Sequence, residues 1–217
     1  MQGDTIVVEE HHRRAAEAII PMILPKIENT KSRYTISVAG ESGSGKSEVA
    51  TAIAELLNQS GIHSMILQQD DYFVYPPKSN DQARRKDINW VGAQEVRLKL
   101  MDDNLRAFHD DKPEIEKPLV LYKEDEIVSE TLAIGDAKVV IAEGTYTSLL
   151  ENIDTRIFID RDYLETRAHR EKRSRHESEL DPFIDKVLDI EHGIISAHRD
   201  LADIIIHKDY YTVSAVD

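Results

Sequence analysis

The spacing of apolar residues changes several times along the chain, and each change marks an element. Residues 34–39, Tyr-Thr-Ile-Ser-Val-Ala, are a short β-branched run that stops at Gly40, as a buried strand does. Over 46–60 the apolar positions Val49, Ile53, Leu56 and Leu57 recur at helical spacing, and Gly61 follows as a C-terminal cap. Residues 62–69 read as a second strand ending at Asp70-Asp71. Residues 92–108 read as a helix with Val96, Leu100, Met101, Leu105 and Phe108 on one face. The run 137–142 is the clearest buried strand and ends in Glu143-Gly144. Two more strands, 155–159 and 202–206, flank a helical region over 164–199 that breaks around 179–182. Strand and helix alternate, so the pattern predicts an α/β fold with a mainly parallel sheet.

Three segments fall outside that alternation. Residues 1–32 hold an amphipathic helix with Ile19, Ile20, Ile23 and Ile27 on its apolar side, expected to lie across the sheet as an extension. Residues 72–90 are polar and Pro-bearing, as in a substrate loop, and 118–134 suggest a hairpin outside the main sheet. At 217 residues the chain suits one domain, 1–217, with these additions, and no internal repeat divides it.

Composition narrows the classes of partner. Asp and Glu number 41 against 27 Lys and Arg, a net charge of −14. That field repels phosphate backbones and anionic lipid, so neither nucleic acid nor a membrane surface is expected as a partner. With no Cys, disulfides, thiolate metal sites and cysteine nucleophiles are excluded. The most apolar N-terminal stretch, 18–24, is short and contains Pro21, so no signal or membrane-spanning run is read and a cytoplasmic protein is expected. A homo-oligomer is left open.

Candidate chemistry begins at Gly40-Glu41-Ser42-Gly43-Ser44-Gly45-Lys46-Ser47, which matches G-x-x-x-x-G-K-[ST] at every fixed position, with a strand before it and a helix after. Glycines let the backbone wrap so that successive N–H groups point at phosphate oxygens, and the helix that follows adds the positive end of its dipole. The expected nucleotide set runs from Gly40 to Ser47 and includes the next residue, Glu48. Lys46 reaches the outer phosphates of ATP, and the Ser47 hydroxyl holds Mg²⁺. No N-K-x-D or D-x-x-G stretch of the GTPase kind is present. Glu143, at the C-terminal end of a hydrophobic strand, stands where ligands bind in open α/β sheets and reads as a second metal-site residue.

Four pieces in this order resemble the uridine kinase and phosphoribulokinase family of P-loop small-molecule kinases. They are the P-loop, Gln69-Asp70-Asp71-Tyr72-Phe73, Glu143-Gly144-Thr145-Tyr146, and Glu165-Thr166-Arg167-Ala168-His169-Arg170, followed by the strand Ala202-Asp203-Ile204-Ile205-Ile206. The resemblance spans about Tyr34 to Tyr210. It implies a three-layer P-loop fold with a helical Arg-rich lid (164–180) and a small substrate-side hairpin. It also implies that Asp70 takes the proton of an acceptor hydroxyl while Arg167 and Arg170 close over the transferring phosphoryl. Local charge agrees: 167–176 carry five Arg and Lys against Glu171 alone. In an extended segment Asp70 and Asp71 point to opposite faces, so one of the two is structural, and the family pattern selects Asp70.

The acceptor side departs from the family. Where uridine kinases carry an Asp that binds ribose hydroxyls, Asn89-Trp90 is followed by Val91. Either Asp87 replaces that Asp or the acceptor is not a ribose. The pyrimidine-reading His turn after Pro118-Leu119-Val120-Leu121-Tyr122 is also absent. The candidate acceptor set is therefore Asp70, Tyr72, Asp87, Trp90 and Tyr122. The expectation is an ATP- and Mg²⁺-dependent kinase acting on a hydroxyl of a small metabolite, a nucleoside or other sugar-like alcohol. The alternatives are a kinase whose acceptor is already phosphorylated, bound by Arg84, Arg85 and Lys86, and a non-catalytic ATP-binding regulator. His11, His12, His63, His109 and His192 lack ligand spacing and read as surface residues.

Overall fold

The computed structural model describes residues 6–164 and 181–216. In chain order its principal elements are α1 (Glu10–Asn29), β1 (Tyr34–Gly40), α2 (Lys46–Gln59), β2 (Ser64–Gln68), α3 (Pro77–Lys86), α4 (Leu98–His109), β3 (Glu114–Leu121), β4 (Glu126–Ala133), β5 (Val139–Glu143), β6 (Thr155–Asp160), α5 (Pro182–Ile195), β7 (Ile204–His207) and β8 (Val213–Ala215). One sheet has the order β2-β5-β1-β6-β7-β8. All its pairs are parallel except β7 with β8, which closes one edge antiparallel. The hairpin β3–β4 stands apart as a second sheet. The mainly parallel α/β architecture is the one the pattern predicts.

The central strands are buried on both faces, and their alternating side chains feed two apolar layers. Ile36, Val38, Val139, Ile141, Ile157, Ile159, Ile204 and Ile206 face α1 and α2, meeting Ile19, Ile23 and Ile27 of the first helix and Val49, Ile53 and Leu57 of the second. Val140, Ala142, Phe158 and Ile205 face the other way, toward Met101, Leu105 and Phe108 of α4 and Ile115 of the hairpin. The N-terminal helix is thus part of the core, not an appendage. Pro21 and Pro25 lie inside α1 on its exposed side, where water can take up the carbonyls that a missing N–H leaves free.

Two expectations change. The segment 72–90 contains α3, whose first-turn N–H groups at Lys78 and Ser79 donate to Asp125 in the hairpin turn, at 2.7 and 3.1 Å. A cap supplied from so far along the chain has no local signal. The helix expected from 92 begins at Leu98, because Glu95 is buried and accepts from the Gly92 N–H at 3.0 Å, fixing a short 3₁₀ turn over Ala93–Glu95. Val96 then pairs with Phe73 in an isolated bridge instead of joining the helix face. Of the helical region expected over 164–199, residues 165–180, with most of the expected break, lie outside the described residues; α5 begins at Pro182, capped by Asp181. Among the described residues no helix is long and apolar enough to cross a membrane.

Candidate active site

The site forms at the C-terminal ends of β1, β2 and β5, where Gln68 and Val38 lie in register with Glu143. The chain leaves β1 at Gly40, turns through the Gly-rich loop and enters α2 at Lys46. Gly45 has φ +90°, and a Cβ there would run into the Tyr210 hydroxyl and come within 2.9 Å of His12 Nε2. Only glycine suits both the backbone and the space. The Tyr210 hydroxyl donates to the Ser44 carbonyl, so the loop after β7 braces the phosphate loop from behind. Lys46 Nζ donates to the Glu41 carbonyl at 2.9 Å. Ser44 Oγ is buried and has no hydrogen-bond partner among the described residues, a buried hydroxyl suited to a phosphate oxygen.

Ser47 Oγ donates to Glu143 Oε1 at 3.1 Å. Burial, reinforced by the charge of Asp70, pushes Glu143 up to about 7, against the opposing pull of Lys46 and Ser47. The four side chains therefore share one electrostatic neighbourhood. A hydroxyl beside a buried carboxylate is a hard oxygen donor pair that fits Mg²⁺, and the orphan Ser44 hydroxyl with the Lys46 ammonium fits a nucleotide's phosphates.

The two aspartates after β2 separate cleanly. Gln69–Tyr72 form a 3₁₀ turn, not the extended segment expected. Asp71 is buried, with its oxygens taking the Lys117 ammonium at 2.9 Å and the Val120 N–H at 3.0 Å. Asp70 is exposed beside Glu143. The turn is fixed to the end of β5 by Gln69, whose Oε1 accepts the Tyr146 N–H at 2.7 Å. Gly144, at φ +156°, leaves room for that side chain, because a Cβ there would clash with it.

Other expected residues scatter. Tyr72 is a core residue, fully buried, and its hydroxyl accepts from Asn104 at 2.9 Å, so it is corrected out of the acceptor set. Asp87 is exposed, and its Oδ1 caps the following turn through the Asn89 N–H at 3.0 Å. Trp90 is half-buried against Tyr75 and donates Nε1 to Asn80 at 2.9 Å. Tyr122 is half-buried just past β3. Arg84 is clamped by Glu95 and Glu191, and Arg85 by Asp81 and Asp181. Neither therefore reads as a phosphate-binding arginine. Glu48 is buried in the first turn of α2, so only its backbone N–H suits an anion. Glu41 is buried too and accepts from His192 Nδ1 at 2.7 Å and from the Tyr163 N–H at 2.8 Å. Arg167 and Arg170 lie outside the described residues.

Sequence reasoning missed the residues that meet only through the fold. Of the two histidines read as surface residues, His12 is buried against Gly45, whereas His192 is 41% exposed at its side chain and also binds the P-loop Glu41. Glu95, Glu191 and Tyr146 gather around Arg84 from three separate elements. No local pattern marks them, apart from the placement of Tyr146 just after the Glu143-Gly144 element.

Residues 35–189 match the model of the phosphoribulokinase / uridine kinase family. The chain belongs to that family. It is 30% identical over 193 residues to a bifunctional alpha-galactosidase/sucrose kinase of Mediterraneibacter gnavus, covering 83% of this chain but 21% of that protein. To a uridine kinase of Staphylococcus epidermidis it is 28% identical over 192 residues, covering 84% of this chain and 91% of the other. A solved phosphoribulokinase from Rhodobacter spheroides shares the fold, with a TM-score of 0.61 at 14% identity over 82% of this chain and 71% of that one. As a member of the phosphoribulokinase / uridine kinase family, the chain is a P-loop kinase acting on a small metabolite, and the family implies use of ATP and Mg²⁺.

Proposed function

We propose that this kinase transfers the γ-phosphoryl group of ATP to a hydroxyl of a sugar-like alcohol, with the whole chain working as one catalytic unit. The observation that carries the reading is the contrast between the adjacent carboxylates: Asp71 is fully engaged by Lys117 and Val120, whereas Asp70 is exposed beside Glu143. Asp70 accepts the proton of the acceptor hydroxyl as its oxygen bonds to phosphorus and the bond from phosphorus to the ADP oxygen breaks. Lys46 and the backbone N–H groups of Gly43 to Ser47 would hold the phosphates. Ser47 and Glu143 would hold Mg²⁺, whose contribution is to neutralise charge on the phosphates. Arg167 and Arg170, outside the described residues, would neutralise charge on the transferring phosphoryl. The relative named as a sucrose kinase and the absence of the ribose-binding Asp at Val91 both favour a sugar-like acceptor. The paired state of Arg84 and Arg85 weighs against a phosphorylated one.

Release of ADP from Mg-ATP, followed with sucrose, D-fructose, uridine and D-glycerate in turn, tests the reading. At least one acceptor is expected to stimulate ADP release well above the rate with water alone. Asp70→Asn is expected to lose roughly 10²- to 10⁴-fold in kcat while ATP affinity stays within twofold. An equal loss of ATP binding would reassign Asp70 to a structural role.

A further inference from the structure

A second polar cluster lies between α3, α5 and the segment that follows β5. Glu95 is fully buried, and each of its oxygens is saturated: Oε1 accepts from Asn80 at 2.9 Å and from Arg84 Nε, while Oε2 accepts from Arg84 Nη2 at 2.9 Å and the Gly92 N–H at 3.0 Å. Its work is to fix the guanidinium. Glu191, buried on α5, takes Arg84 Nη2 on Oε1 at 3.0 Å. Among the described residues its Oε2 and the Nη1 of Arg84 make no hydrogen bond. Tyr146 is buried to 1% exposure, yet its hydroxyl has no partner among the described residues. The charges that reach this hydroxyl are those of Glu191, Glu95 and Arg84. A buried hydroxyl left unpaired is destabilising, so its place is explained best by a ligand that pairs it.

The cluster adjoins the reaction centre. Glu191 feels the charge of Lys46. Its neighbour His192 is bonded to Glu41 of the phosphate loop. Tyr146 lies three residues beyond Glu143, with its N–H on Gln69, the residue before Asp70. We infer that Tyr146, Glu191 and Arg84 form the acceptor-binding set of this kinase, and that the set selects an uncharged polyhydroxylated acceptor over its phosphorylated counterpart. The inference rests on the kinase reading above and adds the substrate class. The two N–H groups of Arg84 Nη1, the Oε2 of Glu191 and a hydroxyl that serves as donor or acceptor suit neighbouring alcohol groups. Two carboxylates against one guanidinium leave a net negative cluster, which repels a phosphate dianion.

Steady-state kinetics with Mg-ATP test this, using D-fructose and sucrose as uncharged probes and fructose 6-phosphate and ribulose 5-phosphate as phosphorylated ones. The wild-type chain is expected to favour an uncharged probe by at least tenfold in kcat/KM. Tyr146→Phe removes a hydroxyl that bonds to nothing among the described residues. It should therefore raise the acceptor KM about tenfold while Tm stays the same or rises and the KM for ATP stays within twofold. Glu191→Gln should narrow the preference for fructose over fructose 6-phosphate by about tenfold, an effect that a purely structural glutamate would not have. Turnover with an unchanged acceptor KM in Tyr146→Phe, or a preference for a phosphorylated probe, overturns the inference and leaves the kinase reading standing. No acceptor-dependent ADP release from any probe overturns both.

Discussion

At the scale of single residues, the site is governed by which charges the fold lets water reach. Glu143 shows the consequence most sharply. Burial raises its carboxyl from an ordinary 4.5 to about 7, so the folded chain holds that proton more tightly than the unfolded chain does. The stability this contributes is fully present below pH 4.5 and is lost as pH rises through 7, a change on the order of 3 kcal/mol. In Glu143→Gln the change disappears. Urea unfolding of the metal-free protein at pH 5 and pH 8.5 is expected to show a falling midpoint for the wild type and a nearly level one for the variant. On the proposed role of Glu143 in holding Mg²⁺, burial couples metal binding to proton release, because a carboxylate that is costly to ionise alone ionises readily beside a cation. Accordingly, Mg²⁺ binding measured by calorimetry in buffers of different ionisation enthalpy should release a proton at pH 6 and almost none at pH 8.5.

At the scale of elements, the β3–β4 hairpin is what aims the turn that carries Asp70. Lys117 projects from β3 into the protein, buried to 7% exposure, and binds Asp71 at 2.9 Å and Glu130 of β4 at 3.1 Å. Lys117→Met would leave Asp71 buried without its cation, and the loss expected is about 3 to 5 kcal/mol. A double variant, Lys117→Met with Asp71→Leu, should recover much of that stability in urea unfolding. Its kcat should still lag, because the Val120 N–H no longer holds the turn that carries Asp70. The hairpin was legible in the sequence as two runs around a charged turn, but its purpose was not. Pairing between Asp71 and Lys117 joins positions 46 residues apart, and local periodicity carries no trace of it. The same reason hid α3, whose cap comes from Asp125, and the late start of α4, set by the demands on Glu95. The phosphate loop was legible because its function lies in the backbone, and a backbone path needs glycines at fixed spacing.

At the scale of the whole molecule, the strand pattern and the sheet agree because parallel strands buried on both faces must be continuously apolar, which the sequence displays directly. The N-terminal segment behaves differently. Its amphipathic spacing identified the helix and its apolar face, yet spacing alone does not say whether that face covers the core or an outer surface. The structure places Ile19, Ile23 and Ile27 at no more than 1% exposure, against α2 and the sheet, with His12 against the phosphate loop. Burial of three isoleucines at about 2 to 3 kcal/mol each is comparable with the whole stability of a typical domain, about 5 to 15 kcal/mol. Removing residues 1–31 uncovers the facing side of α2 and of β1 together. A chain begun at residue 32 is therefore expected to lose cooperative unfolding and to bind the dye ANS at neutral pH. A helix that only decorated the surface would instead leave a sharp urea transition within 1 kcal/mol of the full chain. The milder His12→Ala should keep the fold and weaken ATP binding several-fold, since it removes the side chain packed behind Gly45. Together the two variants separate the helix's part in the core from its part at the nucleotide.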